Sequence, residues 1–77
     1  MDHPIPLDRV GRIASGDEQG RYVRVVDDTE QSGGFLIFTS DDPKFEGEVF
    51  DNWVLDYRTV GAYFRAANWI VEWEPDR

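Results

Sequence analysis

Between Phe50 and Glu74 the spacing of apolar positions changes its period once. Val60, Tyr63, Phe64 and Ala67 fall at i, i+3, i+4 and i+7, the stripe of one helix face. Thr59 can accept the first free backbone N–H groups as an N-cap, and Asn68 tolerates the left-handed conformation of a helix end. The spacing therefore predicts a helix over residues 59–68. Trp69, Val71 and Trp73 then alternate with Ile70, Glu72 and Glu74, the repeat of a final strand over 69–74. A short helix that hands directly to a Trp-rich strand folds that strand under its own apolar stripe. This unit is the expected core.

Upstream the pattern is that of strands. Residues 1–8 hold Pro4 and Pro6 and no periodicity, so they read as an extended arm. Arg9–Ser15 is a strand supported by Val10 and Ile13, and Ser15–Gly20 is a turn cluster bounded by glycines. Arg21–Val26 is rich in β-branched and aromatic residues and forms the second strand. A polar loop from Asp27 ends at Gly33-Gly34, a bulge or turn where the next strand begins. Phe35–Thr39 is apolar on both faces and is expected at the sheet centre. After a loop broken by Pro43, Glu48–Leu55 is a fourth strand anchored by Phe50 and Trp53. Strands recurring roughly every 12 residues with short turns favour an antiparallel meander over 9–55 rather than parallel βαβ units. The fold class is α+β in a single domain: a four- to five-stranded antiparallel sheet, ordered β-β-β-β-α-β, with one helix on one face.

Parity divides these strands into two sets. Val23, Val25, Phe35, Ile37, Trp69, Val71 and Trp73 form one; Tyr22, Val26, Leu36, Phe38 and Ile70 form the other, interrupted by Arg24 and Glu72. One helix covers one face only, and the second set is too apolar to be left in water. Either the arm and first strand curl over it, or another chain, a second copy included, covers it.

Size sharpens the point. A chain of 77 residues without cysteine has neither disulfide nor thiolate metal site to support a small core. Five Phe, three Tyr and three Trp must supply the buried area. The opening Met-Asp-His-Pro-Ile-Pro lacks the basic and apolar segments of a secretion signal, and the longest apolar run is Phe35–Phe38. A soluble cytoplasmic domain is expected.

Candidate chemistry is sparse. His3 lies in the arm and Lys44 beside Pro43, so neither is set up as a catalytic base or nucleophile, and no Gly-rich phosphate cradle is present. Acidic groups at Asp27-Asp28 with Glu30, and at Asp41-Asp42 with Glu46, offer hard oxygen ligands but lack the spacing of a calcium loop. A pair of carboxylates acting as acid and base needs a cleft that one small sheet does not supply. The expectation is a protein that is not an enzyme and needs no cofactor or metal.

Charge distribution says more. The chain carries a net charge of −8, which disfavours direct contact with nucleic acid or an anionic membrane. Between Asp27 and Asp56 stand nine acids and one base, whereas between Arg9 and Val26 stand four arginines and two acids. In a meander the two acidic loops lie at opposite ends of the third strand, and the fourth strand carries the negative field along an edge, with Trp53 and Tyr57 nearby. Charged rims around aromatic anchors suit a protein interface. An acidic edge that merely prevents strand-to-strand aggregation is the competing explanation. The residues expected to meet a partner are Asp27, Asp28, Glu30, Asp41, Asp42, Glu46, Glu48, Asp51 and Trp53.

At Gly33-Gly34-Phe-Leu-Ile-Phe, at Phe50-Asp-Asn-Trp-Val, at Tyr63-Phe64 and at Trp69-Ile-Val-Glu-Trp73, the chain resembles small acidic bacterial immunity-type proteins, single-domain antitoxins that neutralise toxins used between competing bacteria. The resemblance implies a stoichiometric inhibitor that covers a toxin's active site. The leading expectation is thus a protein-binding inhibitor steered to a basic target such as a nuclease toxin or a nucleic-acid-binding effector. A phage-encoded nucleic-acid mimic of the anti-CRISPR kind, and a homodimeric module that uses the second sheet face on itself, are the alternatives.

Overall fold

A computed structural model describes residues 5–75. Its elements are β1 (Gly11–Ser15), β2 (Tyr22–Asp28), β3 (Gly34–Ser40), β4 (Val49–Val54), α1 (Tyr57–Ala66) and β5 (Ile70–Trp73). They build the expected α+β fold: a five-stranded antiparallel sheet, ordered β4-β3-β2-β1-β5, with one helix. The first four strands form the meander. The last crosses to the far edge and pairs with β1, with a register irregularity between Ile13 and Ser15. The centre of the sheet is therefore β2, and β3, expected there, is one strand off it. It is still paired on both sides, which accounts for its apolar character on both faces.

Register confirms the parity division. Val23 opposes Thr39, Val25 opposes Ile37, and Ile13 opposes Val71, which puts them on the face beneath α1. Ile13, Val23, Val25, Ile37 and Val60 are fully enclosed there, joined by Phe35, Val54, Phe64 and Trp69. Tyr22, Arg24, Val26, Leu36 and Phe38 point to the other, open face.

The helix begins one turn before the expected Thr59. Asp56 is the N-cap, its carboxylate accepting from Thr59 N–H at 2.8 Å and from the Thr59 hydroxyl at 2.6 Å. Two residues of capping type three apart compete for the cap, and the first wins because the second serves as its donor. At the other end Asn68 adopts φ 57° as expected. Its N–H donates to Arg65 O at 3.0 Å, and Trp69 N–H donates to Phe64 O at 3.1 Å, the paired bonds of a Schellman cap. The apolar contact that accompanies such caps is here an edge-to-face pair, Phe64 against Trp69 with centroids 4.9 Å apart. Helix and final strand are thus clamped through one ring pair.

The described part of the arm, residues 5–8, touches both sides of the sheet. Asp8 N–H bonds Val25 O, and its carboxylate takes the Arg24 guanidinium on the open side. Ile5 instead reaches the helical side, where its carbonyl accepts from Tyr57 Oη at 2.6 Å. Residues 1–4 of the expected arm, His3 among them, lie outside the described residues.

Candidate protein-binding surface

The surface is built on β4, the strand at one edge of the sheet. Five of its six residues are exposed and only Val54 is buried. An edge strand directs the N–H and C=O of alternate residues outward, free to pair with another chain. Register places Val49 beside Ser40, Asp51 beside Phe38 and Trp53 beside Leu36, all on the open face. Phe50 falls on the opposite face, where α1 does not reach it and the Arg21 guanidinium lies 5.5 Å from its ring centre. Phe50 and Trp53, expected as anchors of the strand, are in fact half exposed, at 50% and 49%. The helix packs only part of one face, which leaves Phe50 uncovered, and Trp53 stands on the other face.

Trp53 is nonetheless held. Its indole N–H donates to Ser32 Oγ at 3.0 Å, and the ring crosses the backbone of Gly34, where a Cβ would stand 2.5 Å from Trp53 Cε2. The glycine expected to mark a turn thus also makes room for the indole. A large ring with one fixed rotamer and half its surface in water is the form of an interface anchor.

The remaining open face is partly roofed by residues 41–48. Ser40 Oγ donates to Glu48 O at 2.9 Å and accepts from Asp42 N–H at 3.1 Å, which folds this segment back on the sheet and buries Ser40 completely. Phe45 is half-buried there. With Arg24, Val26, Phe38 and Val49 it lines a groove of about 320 Å³. Phe45 was not among the expected site residues. Its neighbours Pro43 and Lys44 mark a loop, and nothing in a loop pattern says which ring folds inward.

The expected acidic residues separate into two groups. Asp27, Asp28 and Glu30 sit at the β2–β3 turn beside Trp53, while Asp41, Asp42, Glu46 and Glu48 precede β4 at its other end, and Asp51 lies between them. The two groups lie at opposite ends of β3, as the meander implied, and β4, antiparallel to β3, runs between them. Asp27 and Asp42 also hold their own turns. Asp27 accepts from the Thr29 hydroxyl at 2.7 Å and the Thr29 N–H at 3.0 Å, and these bonds lower its pKa. Asp42 accepts from Lys44 N–H at 3.0 Å and Glu46 N–H at 3.1 Å, the first of which is the main cause of its lowered pKa. A carboxylate charged more firmly than usual keeps its turn's negative field to lower pH.

Among the described residues only Asp41 of this set is ion-paired, with Arg21 at 2.7 Å. Arg12 goes to Glu72, Arg24 to Asp8, and Arg21 also to Glu18 at 3.1 Å, acids outside the set. The internal ion pairs thus leave most of the expected acidic edge uncompensated. Comparison with protein-family models, with curated proteins and with solved structures finds no match. Tyr57, expected near the acidic edge, packs its ring edge-on against Phe35 at 6.0 Å on the helical side. Among the described residues no cluster of three or more His, Asp or Glu gathers around one point, and no helix is long and apolar enough to cross a membrane.

Proposed function

We propose that the chain is a non-catalytic, protein-binding inhibitor of the immunity type, acting in the bacterial cytoplasm, that covers a basic target with the β4 edge and the open sheet face. The observation that carries this reading is the arrangement along β4: Val49 and Trp53 exposed on the open face, Asp51 between them, and acidic loops at both ends. An apolar centre with a charged rim is the anatomy of a protein interface. Acidic loops raise the rate of encounter with a basic surface, such as a nuclease cleft that holds phosphates, and the ring of Trp53 slows departure. Against simple protection of an edge stands the exposure of Trp53, since an edge that only avoids pairing gains nothing from a large ring in water.

The test is binding to a panel of basic bacterial nuclease domains at low and high salt. Association is expected to slow with added salt, and Trp53→Ala is expected to weaken binding by about 2 kcal/mol or more, mostly through faster dissociation. An association rate that ignores salt, or a Trp53→Ala variant that binds as the parent does, removes the reading. A phage-type nucleic-acid mimic predicts the same salt slope, with capture of a nucleic-acid-guided effector in place of a toxin. A homodimeric module predicts a stable dimer at micromolar concentration by light scattering and no heterologous partner.

A further inference from the structure

On the flank opposite β4, α1 sets Arg58 and Arg65 beside the edge strand β5, whose own Glu72 is held by Arg12. α1 lies nearest β3 and β4, and its backbone stands away from the β1–β5 side of the sheet. Rings close it instead: Phe64 lies 4.9 Å from Trp69 and stacks on Trp73 with centroids 6.1 Å apart. A groove of about 730 Å³ remains between α1, β5 and Ile5, floored by Phe64, Trp69 and Trp73 and rimmed by Arg58 and Arg65. That volume falls within the roughly 300–1,000 Å³ of ligand-binding clefts.

Arg58, Gly61 and Arg65 follow at spacings of three and four, one above the other on a helix face. Gly61 has no side chain, and a Cβ there would stand 3.3 Å from Arg65 Nη1, so the guanidinium lies back along the groove. Arg12, Arg21 and Arg24 are held by acids of the same chain. Arg58 and Arg65 have no carboxylate within 4.0 Å among the described residues, and Asp56 feels Arg58 only through a longer-range field. Two guanidiniums left to water in a chain of net charge −8 are available to a carboxylate from outside. Their neighbour β5 is the second edge of the sheet, and its Ile70 is 64% exposed.

We infer that this groove is a second docking site, which takes an acidic, apolar segment of a partner protein laid extended beside β5. Carboxylates of the segment meet Arg58 and Arg65, its apolar side chains rest on the tryptophan floor, and its backbone aligns with the free groups of the β5 edge. The site differs from the β4 surface in position, sign and occupant, and stands whether or not that surface binds a toxin. Charge selects the occupant: a basic segment is repelled by the two guanidiniums, and a neutral one leaves them unmatched.

The probe is a fluorescein-labelled peptide of alternating Glu and Leu, titrated with the full chain and read by anisotropy, with a Lys–Leu peptide as control. The acidic peptide is expected to bind. Arg58→Glu with Arg65→Glu is expected to weaken it by at least about tenfold, the loss of two charge-assisted contacts, while Lys44→Glu, exposed in the β3–β4 loop, leaves it unchanged. Both arginines are exposed, so thermal melts of the variant are expected to match the parent; Arg58→Gln with Arg65→Gln is the milder pair should they not. Equal binding by the double variant, or preference for the Lys–Leu peptide, overturns the inference. A dimer of the parent chain that dissociates in the double variant assigns the groove to a second copy and overturns it as well.

Discussion

Leu36 and Ile37 are neighbours on β3 whose side chains leave on opposite faces, and the functional reading depends on that difference. Ile37 is fully buried under α1, whereas Leu36 is half-buried on the open face beside Trp53. Truncating a buried Ile to Ala removes its transfer free energy and leaves a cavity, at a cost of about 2–5 kcal/mol. A chain of 77 residues has roughly 4–12 kcal/mol of stability in total, so Ile37→Ala consumes a large part of it. For a domain of this size the melting temperature is expected to drop on the order of 10–30 °C. Leu36→Ala removes a side chain that water reaches in part and that no helix covers, for about 1–2 kcal/mol. Circular-dichroism melts of both variants at a few protein concentrations measure the contrast. Should Leu36→Ala cost as much as Ile37→Ala, the open face is packed in solution, and a surface reserved for a partner does not exist there.

Other consequences are as direct. Gly61→Ala and Gly16→Ala should act with opposite signs in thermal melts. The first gains helix propensity, up to about 1 kcal/mol, and displaces only the tip of Arg65. The second forces a Cβ within 2.1 Å of Asn68 O at a φ of +101°, so that backbone must move against backbone and the melting temperature falls. Asp56 has its pKa lowered chiefly by the Thr59 hydroxyl and then by the Thr59 N–H. Its contribution is therefore fully present above the ordinary Asp pKa and is lost as pH falls through the lowered one. Asp56→Ala should accordingly reduce the melting temperature at pH 7 by a margin that narrows in acid; a margin that widens in acid contradicts the cap. Trp69 donates its indole N–H to Asp17 O at 2.6 Å from a nearly enclosed position. Trp69→Phe should cost about 1–3 kcal/mol in urea unfolding, because a carbonyl loses its partner as the ring shrinks.

The fold was legible because period and parity are local signals with few competing explanations. Two faces of two strands, Val23 and Val25 against Tyr22 and Val26, Ile37 against Leu36 and Phe38, were assigned by alternation alone, and register agrees. Element ends were less legible where two residues suit one role, as Asp56 and Thr59 do at the helix start. Of the site, the placement of acidic loops at opposite ends of β3 followed from a meander. What did not follow depends on where one helix comes to rest. Trp53 stands on the face that α1 does not cover, Phe50 lies on the helical face beyond the part α1 covers, and Arg58 and Arg65 came to frame a groove. A charge count that set arginines of the first half against acids of the second had no means to separate the paired from the unpaired.

The final strand lies against the first, with Gly11 opposite Trp73 and Ile13 opposite Val71. During synthesis the outer backbone groups of β1 therefore have no partner until residue 73 has left the ribosome, and the meander must wait with one margin open. A chain shortened before Ile70 would keep its hairpins yet expose β1 as a raw edge beneath unclosed rings. Completion of this domain is thus timed by its last few residues, and premature termination there should yield an aggregating species instead of a smaller folded one.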